Sequence, residues 1–112
     1  MPTAHIIVTG INHRTATLCK RSLYAWDNTT KQAKTQLLRK INTITEFFIL
    51  TTCNRTEIIC IATQQTKELK QQLKALIPER ETYQYINHDA VKHILRTLCG
   101  LDSMLTGEIE VL

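Results

Sequence analysis

The sequence predicts an α+β fold of the ferredoxin-like, split β-α-β kind, a sandwich of an antiparallel sheet with helices on one face. The segments follow the order strand, helix, two strands, helix, strand, helix. Only residues 53–55 separate the second and third strands, which is short enough for an antiparallel hairpin. A length of 112 residues with 43% hydrophobic content suits one domain around one core.

The first strand and first long helix are indicated by β-branched residues and helical spacing. Residues 5–11 are rich in β-branched side chains and predict a strand. The basic stretch at 15–24 predicts a short helix. Asp27, Asn28 and Thr29 then offer N-caps for a longer helix. Its apolar positions fall at helical spacing and are Ala33, Leu37, Leu38, Ile41 and Ile44.

The middle of the chain predicts a buried hairpin followed by a helix. Residues 46–52 are nearly continuous in apolar side chains, as in a buried central strand, and residues 56–63 predict the strand that pairs with it. Residues 66–77 carry leucines on one helical face and stop at Pro78, so they predict a helix.

A short strand and a final helix complete the predicted domain. Residues 82–86 predict the fourth strand. Asn87 or Asp89 would cap the last helix, and Gly100 would end it. The predicted core-facing residues of this helix are Val91, Ile94, Leu95 and Leu98.

Composition and chain ends limit the class of protein. No run approaches the roughly 18 to 20 apolar residues of a membrane span. The chain enters its first strand almost at once, which leaves no room for a targeting peptide, so we expect a cytoplasmic protein. The net charge of +4 permits a polyanionic partner without requiring one. Residues 108–112 resemble the first turn of a helix without a stop signal, so we expect a longer protein.

Cys53 is the candidate nucleophile. It lies where a buried strand ends, and Arg55 two residues later would favour the reactive thiolate. The alternative is that Cys53 only finishes the strand and that Asn54 and Arg55 form a turn. Cys60 lies inside an apolar strand and is predicted to be packed there, while Cys99 is predicted to be structural. The spacing of the four cysteines matches no zinc site.

Two further features could contribute to chemistry. His93 lies opposite the apolar face of the last helix, so amphipathicity alone predicts a solvated side chain. If that face borders a cleft, His93 could exchange a proton with a substrate, and His13 could reach the same cleft. Residues 100–108 contain short polar side chains between two glycines, which suits either a helix connection or a binding loop.

Short motifs occur in a fixed order along the chain. They are GINHRTA at 10–16, TCNRTE at 52–57, DAVKH at 89–93, GLDSM at 100–104 and GE at 107–108. Together they resemble the ordered motifs of the glutamyl-tRNA reductase family. The resemblance implies an N-terminal catalytic domain at residues 1–107 and the start of a linking helix at 108–112, with NADPH-binding and dimerisation domains beyond.

The resemblance also implies an activity and a site. Cys53 would take glutamate from glutamyl-tRNA as a thioester, and NADPH would reduce it to glutamate-1-semialdehyde for tetrapyrrole (porphyrin) synthesis. NADPH would bind outside this chain, no metal is implied, and the whole protein would be a homodimer. Cys53 and His93 would be catalytic. The implied substrate contacts are Thr52, Asn54, Arg55, Ser103, Glu108, Ile109 and Glu110.

The sequence departs from the family pattern at a few positions. Ile109 and Glu110 stand where the family usually has Pro or Asp followed by Gln. A carboxylate at Glu110 would repel the carboxylate of the substrate unless it were protonated or turned away. Thr17 stands where proline is common.

Two other functions remain open from the sequence. One is a non-catalytic tRNA-binding module, whose basic residues would be Arg14, Lys20, Arg21, Lys31, Lys34, Arg39 and Lys40. The other is a hydrolase that uses a Cys-His pair.

Overall fold

The computed structural model describes residues 4–100, which form a four-stranded antiparallel sheet with four helices. The strand order is β2-β3-β1-β4, and every neighbouring pair is antiparallel. The predicted α+β split β-α-β arrangement is therefore confirmed. The elements are β1 (His5–Asn12), α1 (Leu18–Leu23), α2 (Asn28–Arg39), β2 (Ile44–Thr51), β3 (Arg55–Ala62), α3 (Lys67–Ala75), β4 (Tyr83–Ile86) and α4 (His88–Leu98).

One face of the sheet carries the apolar core. Side chains alternate between the two faces along a strand, so Ile7 of β1 and Ile58 and Cys60 of β3 share this face. They pack against Leu38 of α2 and Leu73 of α3. Cys60 is buried as predicted, and this burial raises the pKa of its thiol to about 11. We call this surface the core face.

The last helix, α4, lies on the opposite face. Arg55 and Glu57 alternate away from the core face, and both contact α4, through Thr97 and His93 respectively. Gln84 points the other way and donates to the backbone carbonyl of Lys70 in α3, at 3.1 Å. The sheet is therefore covered by α2 and α3 on the core face and by α4 on what we call the polar face. The prediction that the helices lie on one face is wrong, because Arg55 and Glu57 find their partners in α4 on the second face.

The sequence predicted the wrong side of α4 as the one that is buried. Val91, Leu95 and Leu98 are 39%, 55% and 44% exposed, and Ile94 is only half-buried. The side of α4 that is buried against the sheet carries Ala90, His93 and Thr97 instead. Amphipathicity predicted the reverse because it assumes an apolar partner, whereas α4 packs on charged and hydroxylated side chains.

Some helices and strands begin or end at other residues than the sequence predicted. The helix α2 ends at Arg39, so Ile41 follows it and Ile44 begins β2. Both still pack against the core, which is why their spacing resembled a continued helix. Asp27 caps α2 as predicted, accepting from the backbone N–H of Thr30 at 2.8 Å.

The ends of α4 have different stabilisation. Asn87 occupies the N-cap position at φ 54°, but its side chain makes no capping bond. Its Oδ1 accepts instead from the backbone N–H of Ile6 on β1, at 3.0 Å. At the other end Gly100 adopts φ 76°, the left-handed conformation that ends a helix, as predicted. In the part of the chain that the structure describes, no helix is long and apolar enough to cross a membrane.

Candidate functional site

Cys53 lies at the exposed tip of the turn between β2 and β3. The hydroxyl of Thr52 accepts from the backbone N–H groups of Asn54 and Arg55, at 3.1 and 3.2 Å. The backbone N–H of Thr52 also donates to the carbonyl of Arg55, at 2.8 Å. Asn54 and Arg55 are both buried. The turn therefore holds its own conformation and presents the thiol to solvent.

The side chain of Arg55 enters the polar face and is only 1% exposed. Its Nη1 lies 3.3 Å from the hydroxyl of Thr97 and 3.7 Å from Oε1 of Glu57. A buried guanidinium requires such partners because moving an unpaired charge out of water costs several kcal/mol. Arg55 is thus held beneath α4, and its predicted contact with substrate stays a prediction.

Glu57 is the centre of the buried network on the polar face. Its Oε2 accepts a 2.6 Å hydrogen bond from the hydroxyl of Tyr83. The same oxygen forms a second, short hydrogen bond with Nε2 of His93. Its Oε1 faces Arg55. The carboxylate therefore connects β3, β4 and α4 through two buried partners, Arg55 and His93, and the half-buried Tyr83.

His93 is buried, not solvated as amphipathicity alone predicted. Its ring packs against Tyr83 and Tyr85 of β4, with centroids 5.2 and 4.8 Å apart. It also borders a surface cleft of about 190 Å³, lined by Tyr85, Asp89, Lys92, His93 and Arg96. A histidine oriented by a carboxylate beside a cleft can accept or donate a proton.

Tyr83 completes the network as a neutral donor. Burial, followed by the charge of Glu57, holds the pKa of the Tyr83 phenol well above its usual range. The phenol therefore keeps its proton and donates a hydrogen bond to Glu57. Tyr83 and Tyr85 are stacked with centroids 5.1 Å apart, and both rings lie on the polar face.

Gly10 provides the space for Glu57. It pairs with Glu57 on one side and with Tyr83 on the other. A Cβ at Gly10 would lie 2.7 Å from Cγ of Glu57 and would also collide with the backbone of Thr56. The glycine of the GINHRTA motif is thus required by the close approach of the Glu57 side chain.

Three contributors to this site do not stand among the residues predicted from the sequence: Gly10, Glu57 and Tyr83. Strand alternation offered a signal, because Glu57 shares a face with Arg55 only two residues away. Tyr83 and Gly10 become neighbours of Glu57 only through the pairing of β1 with β3 and β4.

Most of the basic residues of the tRNA-binding alternative lie on two helices, α1 and α2. Lys20 of α1 forms an ion pair with Glu81, and Glu79 lies 3.9 Å away. The hydrogen bond to Glu81 is the main cause that raises the pKa of Lys20. Lys34 of α2 lies over the ring of Trp26, 5.3 Å from its centroid. Arg39 and Lys40 are exposed at the far end of α2.

Four of the predicted substrate contacts, Ser103, Glu108, Ile109 and Glu110, lie outside the described residues.

Within residues 4–100 no group of three or more His, Cys, Asp or Glu side chains could hold a metal ion. A larger open cavity of about 580 Å³ lies between α2 and α3, and it contains none of the predicted site residues. Cys99, predicted to be structural, is exposed.

Comparisons with known proteins agree on one family. A family model described as "Glutamyl-tRNAGlu reductase, N-terminal domain" matches residues 9–112. A glutamyl-tRNA reductase of Chromohalobacter salexigens is 34% identical over 96% of this chain, and one of Paenibacillus macerans is 32% identical over 96%. The chain spans 27% of the length of each of these relatives.

A solved structure shows the same fold. The glutamyl-tRNA reductase from Methanopyrus kandleri superposes with a TM-score of 0.77 at 23% identity. The match covers 95% of this chain and 25% of that one.

Proposed function

This chain belongs to the glutamyl-tRNA reductase family as an N-terminal domain, and on that premise we propose that it captures the glutamyl group of glutamyl-tRNA on Cys53. The observation that supports this most directly is the exposed thiol at the tip of a turn that is held by its own hydrogen bonds. The next residues of the same turn lead into the buried network of Arg55, Glu57 and His93. A reactive group on a loop supported by a rigid sheet is a common arrangement of enzyme sites.

The proposed step is an acyl transfer. The thiolate of Cys53 attacks the carbonyl carbon of the aminoacyl ester, and a carbon–sulfur bond forms. The bond between that carbon and the ribose oxygen of the tRNA breaks. The ribose oxygen leaves with a proton, for which His93 is the proposed donor because Glu57 orients its ring. The product is a thioester of glutamate on Cys53.

Arg55 is the proposed ligand for the carboxylate of the substrate. Guanidinium and carboxylate form charge-assisted hydrogen bonds, and Arg55 already lies 3.7 Å from the carboxylate of Glu57. A substrate carboxylate would therefore share Arg55 with Glu57. Thr52 and Asn54 of the turn would contact the same substrate, as would Ser103, Glu108, Ile109 and Glu110.

The reduction of the thioester is proposed only for the whole protein. In that protein, NADPH would supply a hydride, and reduction would give glutamate-1-semialdehyde, the precursor of tetrapyrroles. The 112 residues contain three glycines and no Gly-rich dinucleotide fingerprint, so the residues present do not fit this cofactor. For this chain the proposed chemistry ends at the thioester. A cytoplasmic homodimer is likewise a proposal for the whole protein.

Mass spectrometry of the chain after incubation with glutamyl-tRNA tests the proposal. We expect a glutamyl adduct on Cys53 that neutral hydroxylamine removes, because thioesters react readily with this nucleophile. Cys53→Ser should abolish the adduct. Cys19→Ser and Cys99→Ser are matched controls, since both thiols are exposed, and both variants should keep it. The absence of an adduct in the unmodified chain would contradict the proposal.

The two alternative functions give different outcomes in related assays. A hydrolase with a Cys-His pair would release amino acids other than glutamate from tRNA at similar rates. A non-catalytic module would bind charged and uncharged tRNA equally, with a steep dependence on salt. The ion pairs of Lys20 with Glu79 and Glu81 weaken the second alternative because they neutralise part of the basic surface.

A further inference from the structure

We infer that Arg21 is a positioning residue for the Cys53 nucleophile, an inference that rests on the proposed acyl transfer. The guanidinium Nη1 of Arg21 donates a 3.0 Å hydrogen bond to the backbone carbonyl of Cys53. The two residues are 32 positions apart, so the contact depends on how α1 docks beside the turn. From the sequence, Arg55 was the cation expected beside Cys53, but its side chain enters the polar face beneath α4.

The helix that carries Arg21 is not held by hydrophobic burial of its own residues. None of the residues of α1 is buried, and Leu18 and Leu23 are 66% and 71% exposed. Thr17, which stands where the family commonly has proline, caps α1 by accepting from the backbone N–H of Lys20 at 3.3 Å. The apolar anchors of this segment lie outside the helix, at Ala16 and Trp26 of the core, so the attachments that α1 itself makes are polar.

Those polar contacts attach α1 at two places. Lys20 forms an ion pair with Glu81, which lies in the segment just before β4. Tyr24, at the C-cap of α1, accepts at its carbonyl from the hydroxyl of Thr56 on β3, at 2.6 Å. The Tyr24 hydroxyl donates to Glu79 at 2.9 Å, and its pKa is raised to about 12, chiefly by burial. The Thr56 contact attaches α1 directly to the strand that follows the Cys53 turn.

The contact has two consequences for the thiol. The carbonyl of Cys53 belongs to a planar peptide group, so fixing that oxygen restricts the rotation that would redirect the side chain. The guanidinium of arginine is protonated at all relevant pH values, so a permanent positive charge lies next to the residue that must become an anion. Both effects favour attack by Cys53 without requiring Arg21 to touch the substrate.

Single-turnover kinetics of the Cys53 adduct, at several concentrations of glutamyl-tRNA, test this role. For Arg21→Met we expect the maximal rate to fall by roughly 10-fold to 100-fold, as for other small misplacements of reacting groups. The half-saturating concentration of glutamyl-tRNA should stay unchanged. Arg21→Lys keeps the charge, so its maximal rate should lie between those of the unmodified chain and Arg21→Met. Guanidinium ion added to Arg21→Met should restore part of the rate. Lys74→Met, which removes one positive charge from an exposed position on α3, should behave as the unmodified chain.

The outcomes separate this inference from the proposed function. If the unmodified chain forms no adduct, the proposed function fails. If it forms the adduct and Arg21→Met does so at the same maximal rate, the positioning role is overturned. A raised half-saturating concentration with an unchanged maximal rate would overturn it as well, because Arg21 would then act in tRNA binding. Thermal melting of each variant identifies any loss of rate caused by unfolding, and Arg21→Lys then provides the decisive comparison.

Discussion

The two faces of the sheet differ in chemistry although the same strands form both. The core face buries Ile7, Ile58 and Leu73 among aliphatic neighbours. The polar face buries Arg55 and Glu57 beneath α4, where each needs specific partners. Apolar burial stabilises a fold with little demand on geometry, whereas buried charges are stable only in one arrangement. The core face therefore maintains the fold, and the polar face maintains the candidate site.

Glu57→Gln should give the largest effect, because it removes the charge that pairs with buried Arg55. Breaking one partner of a buried ion pair costs about 3 to 5 kcal/mol, so urea denaturation should show a loss of this size. Adduct formation per folded molecule should fall as well, since His93 loses its carboxylate partner.

The matched control for Glu57→Gln is Leu73→Ala on the core face. It should also lower the free energy of unfolding, by about 2 to 5 kcal/mol. The rate of adduct formation per folded molecule should stay unchanged, because Leu73 belongs to the core on the other face of the sheet. Equal losses of rate in both variants would refute the division between the two faces.

Tyr83→Phe should have an intermediate effect on the polar face. It removes the 2.6 Å hydrogen bond to Glu57, and bonds to charged groups contribute about 1.5 to 3 kcal/mol. Tyr85→Phe keeps the stacked ring and removes a hydroxyl from the same strand, so it is the control and should cost less.

The pH dependence gives Tyr83 a separate signature. Its folded-state pKa is raised above the ordinary value of 10.0, so its contribution is complete below that pH. The contribution is lost as the pH rises from 10.0 through the raised folded-state pKa. Denaturation of the unmodified chain across this alkaline range should therefore show a steeper loss than Tyr83→Phe. Parallel curves for the two proteins would contradict the placement of Tyr83.

Leu95→Gln should have the smallest effect. Leu95 belongs to the apolar stripe of α4 that the sequence assigned to the core, yet it is exposed. The free energy of unfolding should change by less than about 0.5 kcal/mol, as for ordinary surface positions. Urea denaturation checks this, and a loss comparable to that of Leu73→Ala would show that the stripe is buried after all.

Local signals in the sequence were sufficient to predict most helices and strands of the fold. The β-branched run at β1, the cap at Asp27 and the stop at Gly100 depend on neighbouring residues alone, and the structure agrees with each. The direction in which α4 packs could not be predicted, because it depends on the charged residues that β3 presents to it. The exposed thiol of Cys53 agrees with its position at a strand end, but the cation bonded to its backbone comes from α1.

Spacing and turn length act over a few residues, so local patterns were enough to predict the order and kind of the elements, the antiparallel hairpin and the thiol at its tip. Tertiary packing sets which side of α4 is buried, joins Glu57 to Arg55, His93 and Tyr83, and brings Arg21 to the backbone of Cys53. These contacts link residues far apart in the chain. They form because buried charged and polar groups must find partners wherever the fold brings them together.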